Sequence, residues 1–298
     1  MNAEARLAYA ERSERRFALA FATPGIVVLA VTTTFPLIYL VWQSLHDINL
    51  AMPALNRFVG LGNYERLFGD GEFWYALELT AVYTTVTVTL QLLLGLGMAL
   101  LILRIPRAQT VFRIVAILPI VLAPVVVGLF WRTLMLSQTF GIVDFALRAV
   151  GLTPYNWLGV PDLAVIAVIA IHTWQWTPFV FLYLLAALVS LPEDLYEAAR
   201  IDRANAWGRF IHITLPLIRP AIVIVVILRM TVALSAFAAL YAATNGGPGT
   251  ATEIINLFAY RKSFVELTIG YGAAAAVFLL VLTLGVTFVL FRLRRAVA

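Results

Sequence analysis

Long uncharged apolar runs alternate with short polar segments along the whole 298-residue chain. Residues 17–45, 79–103, 114–131, 163–191 and 267–291 contain no Asp, Glu, Lys or Arg. Each run approaches or exceeds the ~18–20 residues that cross the hydrocarbon core as a helix. A further apolar stretch, 218–243, carries Arg229 near its middle. Lipid offers no hydrogen-bond partner to an unpaired backbone group, so such runs predict helices and not strands. The expected fold is therefore all-α, a polytopic membrane protein with six transmembrane helices. Spans at about 17–45, 75–103, 110–135, 163–190, 218–243 and 267–291 form one membrane domain, 17–295, after a charged segment, 1–16. Pro24 and Pro36 in the first span, and Pro119 and Pro124 in the third, mark places for kinks.

Composition agrees with this reading. The chain is 62% hydrophobic and 12% charged, so a water-soluble globule of this sequence would lack the polar surface to cover itself. With the N-terminus inside, fourteen arginines fall in inner segments and six basic residues in outer ones, Arg229 remaining within a span. That bias places both termini in the cytoplasm. The net charge of +5 comes from short arginine clusters flanking apolar runs, the pattern of topology signals and anionic-lipid contact, and nucleic-acid binding is not expected. The absence of cysteine excludes disulfides, thiolate metal sites and cysteine nucleophiles. The first run is longer than a signal-peptide core and is expected to stay as an uncleaved helix.

The main polar interruption is 191–217, between the fourth and fifth spans. Ser190, with Pro192 in the first turn and Glu193 three residues on, has the pattern of a capping box and predicts a short helix. On that helix Leu195, Ala198, Ala199 and Asp202 are expected on one face, with Glu193, Glu197 and Arg200 on another. The alanines allow a partner backbone to approach closely, and Glu197 offers a carboxylate to a partner arginine.

The residues Glu197-Ala198-Ala199, Asp202-Arg203-Ala204 and Ile213-x-Leu215-Pro216 resemble the EAA loop of binding-protein-dependent ABC importer permeases. Phe58-Val59-Gly60-Leu61-Gly62-Asn63-Tyr64, Thr244-Asn245-Gly246-Gly247-Pro248-Gly249 and Tyr260-Arg261-x-x-Phe264 are similar to segments of the sugar and glycerol-phosphate branch, in particular its maltose-F-like first subunit. The resemblance implies a type I importer permease (MetI-like) fold in the cytoplasmic membrane. It also implies that 191–217 is a coupling loop passing movement from an ATP-hydrolysing subunit, through Glu197, Ala198, Ala199, Asp202, Arg203 and Gly208. The partners it implies are two ATP-binding subunits, a second homologous permease forming a heterodimer, and a solute-binding protein. ATP and Mg are then held by the partners, with no cofactor in this chain. Arg203 stands where the family has glycine, so the turn after the helix is expected to take another shape, with Gly208 supplying flexibility.

The chain's own chemistry is sparse. A phosphate-binding loop needs a glycine-rich run ending in Gly-Lys-Ser/Thr, and the single lysine, Lys262, follows Arg261 with no such run. His46, His172 and His212 are scattered and share no catalytic or metal-ligand spacing, so no catalytic residue and no metal site is expected. Arg229 costs about 2.5–3.5 kcal/mol at mid-bilayer unless it meets water or a partner. It serves either the solute path or a structural bond to carbonyls of a neighbouring helix. Trp174, Gln175 and Trp176 combine aromatic faces with an amide, the elements of a carbohydrate pocket or of simple packing. Phe237 and Tyr241 are lesser candidates on the same grounds. An ion-gradient-driven secondary transporter is the alternative, although such proteins place carboxylates deep in their spans and this chain has none there. An intramembrane enzyme would need a nucleophile and base that are not evident.

Overall fold

The computed structural model describes residues 3–105 and 109–297, with side chains at 17–105, 112 and 114–292. Arg6, Arg12, Arg15, Arg16, Arg107, Arg113, Arg294 and Arg295, counted above toward the inner side, lie outside the described side chains. The fold is a helical bundle. Helix α1 spans Ala3–Ser44 and a short hairpin follows, β1 (His46–Asp47) against β2 (Arg57–Phe58). Then come α2 (Gly62–Phe68), α3 (Gly71–Ile102), α4 (Gln109–Val121), α5 (Pro124–Phe130), α6 (Ile142–Ala149) and α7 (Pro161–Val189). The rest is α8 (Glu193–Ile201), α9 (Ala206–Arg209), α10 (Leu215–Leu234), α11 (Ala238–Thr244), α12 (Ile255–Tyr260) and α13 (Ile269–Val297).

Among the described residues five helices are long and apolar enough to span a membrane: Phe17–Ser44, Gly71–Ile102, Pro161–Val189, Ala206–Leu234 and Ile269–Arg292. Their surroundings differ. In α7 56% of the most apolar window is buried against 0% in the first span, so α7 is the axis of the bundle and α1 lies at its edge.

Two of the expected spans are interrupted. The third, 110–135, is not one rod but two helices bent by 101° between Val121 and Pro124. Ala123, preceding Pro124, is extended at φ −59° and ψ 137°, because the proline ring disfavours a helical residue before it. The fifth, 218–243, ends as a helix at Leu234, and Phe237 at φ −151° and ψ −65° separates it from α11. Each break frees carbonyls, and a side-chain amide meets them. Gln175 Nε2 donates to Leu122 O at 3.4 Å, and Asn256 Nδ2 donates to Ala236 O at 2.9 Å and Leu234 O at 3.3 Å.

Small residues set the closest approaches. A Cβ at Gly95 would lie 2.8 Å from Val180 Cγ1, so glycine brings α3 against α7 around Ala99, Phe181 and Leu184. At Gly128 a Cβ would lie 2.3 Å from Ala239 O, which holds α5 against α11. The 58–64 segment clamps the end of α1. Asn63 Nδ2 donates to Ser44 O and His46 O, both at 2.9 Å, and Tyr64 OH meets Ser44 Oγ at 2.7 Å.

Candidate functional site

Helix α8 projects from the bundle between α7 and α9. Its first turn carries Glu193 and Asp194 and its last Arg200, each complementing the nearby end of the helix dipole. The capping box at Ser190 is not formed. Helix α7 runs to Val189, so Ser190 closes it, its hydroxyl donating back to Ala187 O at 2.8 Å, and Pro192 becomes the N-cap of α8. The expected common face also divides. Ala199 is buried and Tyr196 is half-buried, with its hydroxyl 2.9 Å from Thr214 Oγ1, whereas Leu195, Glu197, Ala198 and Asp202 are exposed. Adjacent alanines on a helix point about 100° apart, so one anchors α8 and the other faces outward.

Arg203 keeps the left-handed backbone that glycine usually supplies, at φ 56°. Ala204 N donates to Ala199 O at 2.9 Å and Arg203 N to Arg200 O at 3.0 Å, the two bonds of a Schellman ending. Gly208 is not a hinge. It lies within α9, its N–H held by the Asn205 cap at 2.7 Å.

Within the membrane the expected candidates separate. Trp174 packs on Phe130 and Trp131 of the third span, with ring centroids 6.2 Å and 5.6 Å away. Gln175 serves the Leu122 carbonyl. Trp176 turns the other way, its ring 4.3 Å from the Arg229 guanidinium carbon. Consecutive helix positions cannot face one site, so a three-residue solute contact is not built here.

Arg229 is 1% exposed and gathers groups that the sequence pattern did not single out. Its Nε donates to Gln91 Oε1 at 2.9 Å, and Gln91 Nε2 donates to the His172 carbonyl at 3.2 Å. The Tyr83 and His172 rings stack at 5.2 Å. This cluster joins α3, α7 and α10 at one level. Arg229 Nη2, Tyr83 OH and His172 Nδ1 are buried there without a protein hydrogen-bond partner. Neither carbonyl-bound filler nor an isolated cation describes Arg229. Gln91 was detectable only as an amide inside a run selected for lacking full charges.

Phe237 and Tyr241 do come together. They stack at 5.4 Å, and Tyr260 of α12 closes the group at 5.3 Å and 5.2 Å, its hydroxyl 3.4 Å from that of Tyr241. Beside them Arg261 bonds both oxygens of buried Glu253, at 2.6 Å and 2.8 Å, and reaches Glu72 at 2.8 Å. The Glu253 carboxylate holds the Arg261 guanidinium protonated above its ordinary range. Among the described residues no group of three His, Cys, Asp or Glu is placed to hold a metal ion.

Residues 91–298 match the family model described as the binding-protein-dependent transport system inner membrane component. The chain belongs to that family. The trehalose/maltose transport system permease protein of Thermococcus litoralis is 35% identical over 272 residues, covering 91% of each chain. The sulfoquinovosyl glycerol transport system permease protein of Agrobacterium fabrum is 32% identical, covering 95% of this chain and 91% of that one. A solved bacterial alginate ABC transporter, in complex with an alginate pentasaccharide-bound periplasmic protein, contains a chain of the same fold. Its TM-score is 0.82 at 22% identity, over 97% of both chains.

Membership makes the chain a multi-pass permease of the cytoplasmic membrane acting in binding-protein-dependent import, and not an ion-gradient-driven carrier or an enzyme. The family match begins at Gln91 and takes in α8, Arg229 with Gln91, His172 and Trp176, and the Tyr241–Tyr260 group.

Proposed function

We propose that this permease moves a carbohydrate or a related polyol or glycerol-phosphate solute, paired with a second homologous permease and seated on two ATP-binding subunits that hold ATP and Mg. The names of its relatives, concerned with trehalose, maltose and sulfoquinovosyl glycerol, support the solute class. The observation that carries the coupling role is the form of α8. It is a short, rigidly closed helix whose outer surface presents Leu195, Glu197, Ala198 and Asp202, and whose inner side is tied to the bundle through Ala199 and Tyr196. With both termini in the cytoplasm, that surface faces the compartment that contains ATP.

The mechanism follows from connectivity. Helix α8 lies between α7 and the 206–234 span, so a push on it displaces both together. Those helices meet α3 at Gln91, Arg229 and Trp176, and a change from inward- to outward-facing must rearrange this contact. Outside it, the Phe237, Tyr241 and Tyr260 rings offer flat faces and hydroxyls suited to a sugar delivered by a binding protein. Affinity purification of the tagged chain tests the assembly. An ATP-binding protein and a second permease are expected to co-elute, and solute movement by the purified chain alone without nucleotide would refute the proposal.

A further inference from the structure

The end of the bundle that carries α8 contains a groove of about 1080 Å³ that coupling does not explain. Its floor is apolar, formed by Leu93, Leu96, Leu100 and Leu103 of α3 and its C-cap, and continued by Leu188 and Val189 at the end of α7. Its rim is charged. Arg104 follows α3, Arg209 ends α9, and α8 contributes Arg200, Glu193 and Glu197.

None of these five charged side chains is ion-paired, since every ion pair among the described residues belongs to the Arg261–Lys262 cluster. Leucines on the floor and unpaired arginines at the helix ends match the two layers of a membrane leaflet, hydrocarbon below and head group above. Leu93 is 62% exposed, which suits contact with acyl chains and not with water. Three arginines against two glutamates leave an excess of positive charge, and guanidinium groups match phosphate geometry. Both glutamates are on α8, whereas Arg104 and Arg209 are on other elements, which assigns the phosphate to those two.

We propose that this groove binds one anionic phospholipid of the inner leaflet, with its acyl chains along the α3 leucines and its phosphate on Arg104 and Arg209. The proposal rests on the cytoplasmic placement of α8. Because α8 forms a wall of the groove, the bound lipid braces the coupling helix against α3 and makes coupling sensitive to the lipid.

The test uses the complete complex with its partner subunits, delipidated in detergent, titrated with phosphatidylglycerol and observed by native mass spectrometry. One lipid per copy of this chain is expected to persist. The double variant Arg104→Gln, Arg209→Gln is expected to weaken retention roughly thirtyfold, the combined effect of two basic residues near an anionic surface. Arg104→Lys with Arg209→Lys keeps the charge without the fork and is expected to retain the lipid better than the glutamine variant, and co-elution of the partners reports that each variant is folded. Diacylglycerol with the same chains is not retained, and inorganic phosphate does not displace the phospholipid. Equal retention in the glutamine variant, equal retention of diacylglycerol, displacement by inorganic phosphate, or no retained lipid at all overturns the proposal. Labelling of a Glu197→Cys complex in sealed vesicles separates the two readings. Reaction from the outer side overturns both, whereas reaction from the inner side with no retained lipid overturns the lipid site alone.

Discussion

Arg229 and Gln91 are 138 positions apart in the chain, yet Arg229 Nε donates to Gln91 Oε1 at 2.9 Å in the middle of the bundle. The bond ties α10 to α3 where both are enclosed by protein. Gln91→Leu removes the acceptor and leaves a buried guanidinium on the Trp176 ring alone, an expected loss of about 3 kcal/mol. Adding Arg229→Met is expected to recover most of that loss, because two apolar groups then face each other. A double-mutant cycle from thermal unfolding in detergent checks this, and simple additivity of the two changes would remove the pairing from the account.

Arg203 holds a left-handed backbone at φ 56° that glycine adopts without strain. Arg203→Gly is expected to stabilise the end of α8 by about 1 kcal/mol, and Arg203→Val to destabilise it by more. Hydrogen exchange at the Ala204 amide, which closes the turn on Ala199, measures it directly. Faster exchange in the glycine variant would contradict the assignment.

Two glycines should behave oppositely. A Cβ at Gly128 would meet Ala239 O at 2.3 Å and Ala242 Cβ at 2.7 Å, whereas at Gly97 nothing lies within 4 Å. Gly128→Val is therefore expected to cost about 3 kcal/mol or to prevent the α5–α11 contact from forming. Gly97→Ala is expected to be neutral or to gain up to about 1 kcal/mol from helix propensity. Melting temperatures of the two variants provide the comparison, and similar losses at both would refute it.

Glu253 is a buried carboxylate whose two oxygens both meet Arg261. Glu253→Gln is expected to lower stability by about 2 kcal/mol, through loss of a charge-assisted pair. The raised pKa of Arg261 means its contribution is fully present below the unfolded value and is lost only as pH rises through the folded one, above the ordinary arginine range. Stability supplied by this guanidinium is thus constant through neutral pH, and a neutral-range titration that Arg261→Gln abolishes would contradict it.

Much of the bundle was legible because a charge-free run of sufficient length has few outcomes in lipid. The helices Phe17–Ser44, Pro161–Val189 and Ile269–Arg292 fall within two residues of the runs that announce them, and Gly71–Ile102 extends eight residues ahead of its own. The breaks were less legible. Pro124 signalled a kink, but not that Gln175, far along the chain, meets the Leu122 carbonyl freed there. Asn256 likewise meets the carbonyls freed where α10 ends at Leu234. Ser190 had the right spacing for an N-cap, and lost that role because α7 continues to Val189 and Ser190 becomes its C-cap. In the membrane, Trp174 to Trp176 looked like one site because they are adjacent in sequence, although a helix sends neighbours in different directions. Gln91 went unnoticed because uncharged amides do not interrupt an apolar run. The left-handed turn at Arg203 was not legible, since the residue type argues against it and another shape is what the arginine predicts.

The most direct test of the central claim is solute-stimulated ATP hydrolysis by the assembled complex carrying Ala198→Asp. Ala198 is exposed on α8 and Ala199 beside it is buried, so this change places a charge on the docking surface without entering the core. Melting and assembly of the membrane subunits are expected to be unchanged, with stimulation reduced by at least about tenfold, a loss of roughly 1.4 kcal/mol of coupling. Normal stimulation in a complex shown to contain the variant would contradict the claim that α8 receives the ATP-driven stroke.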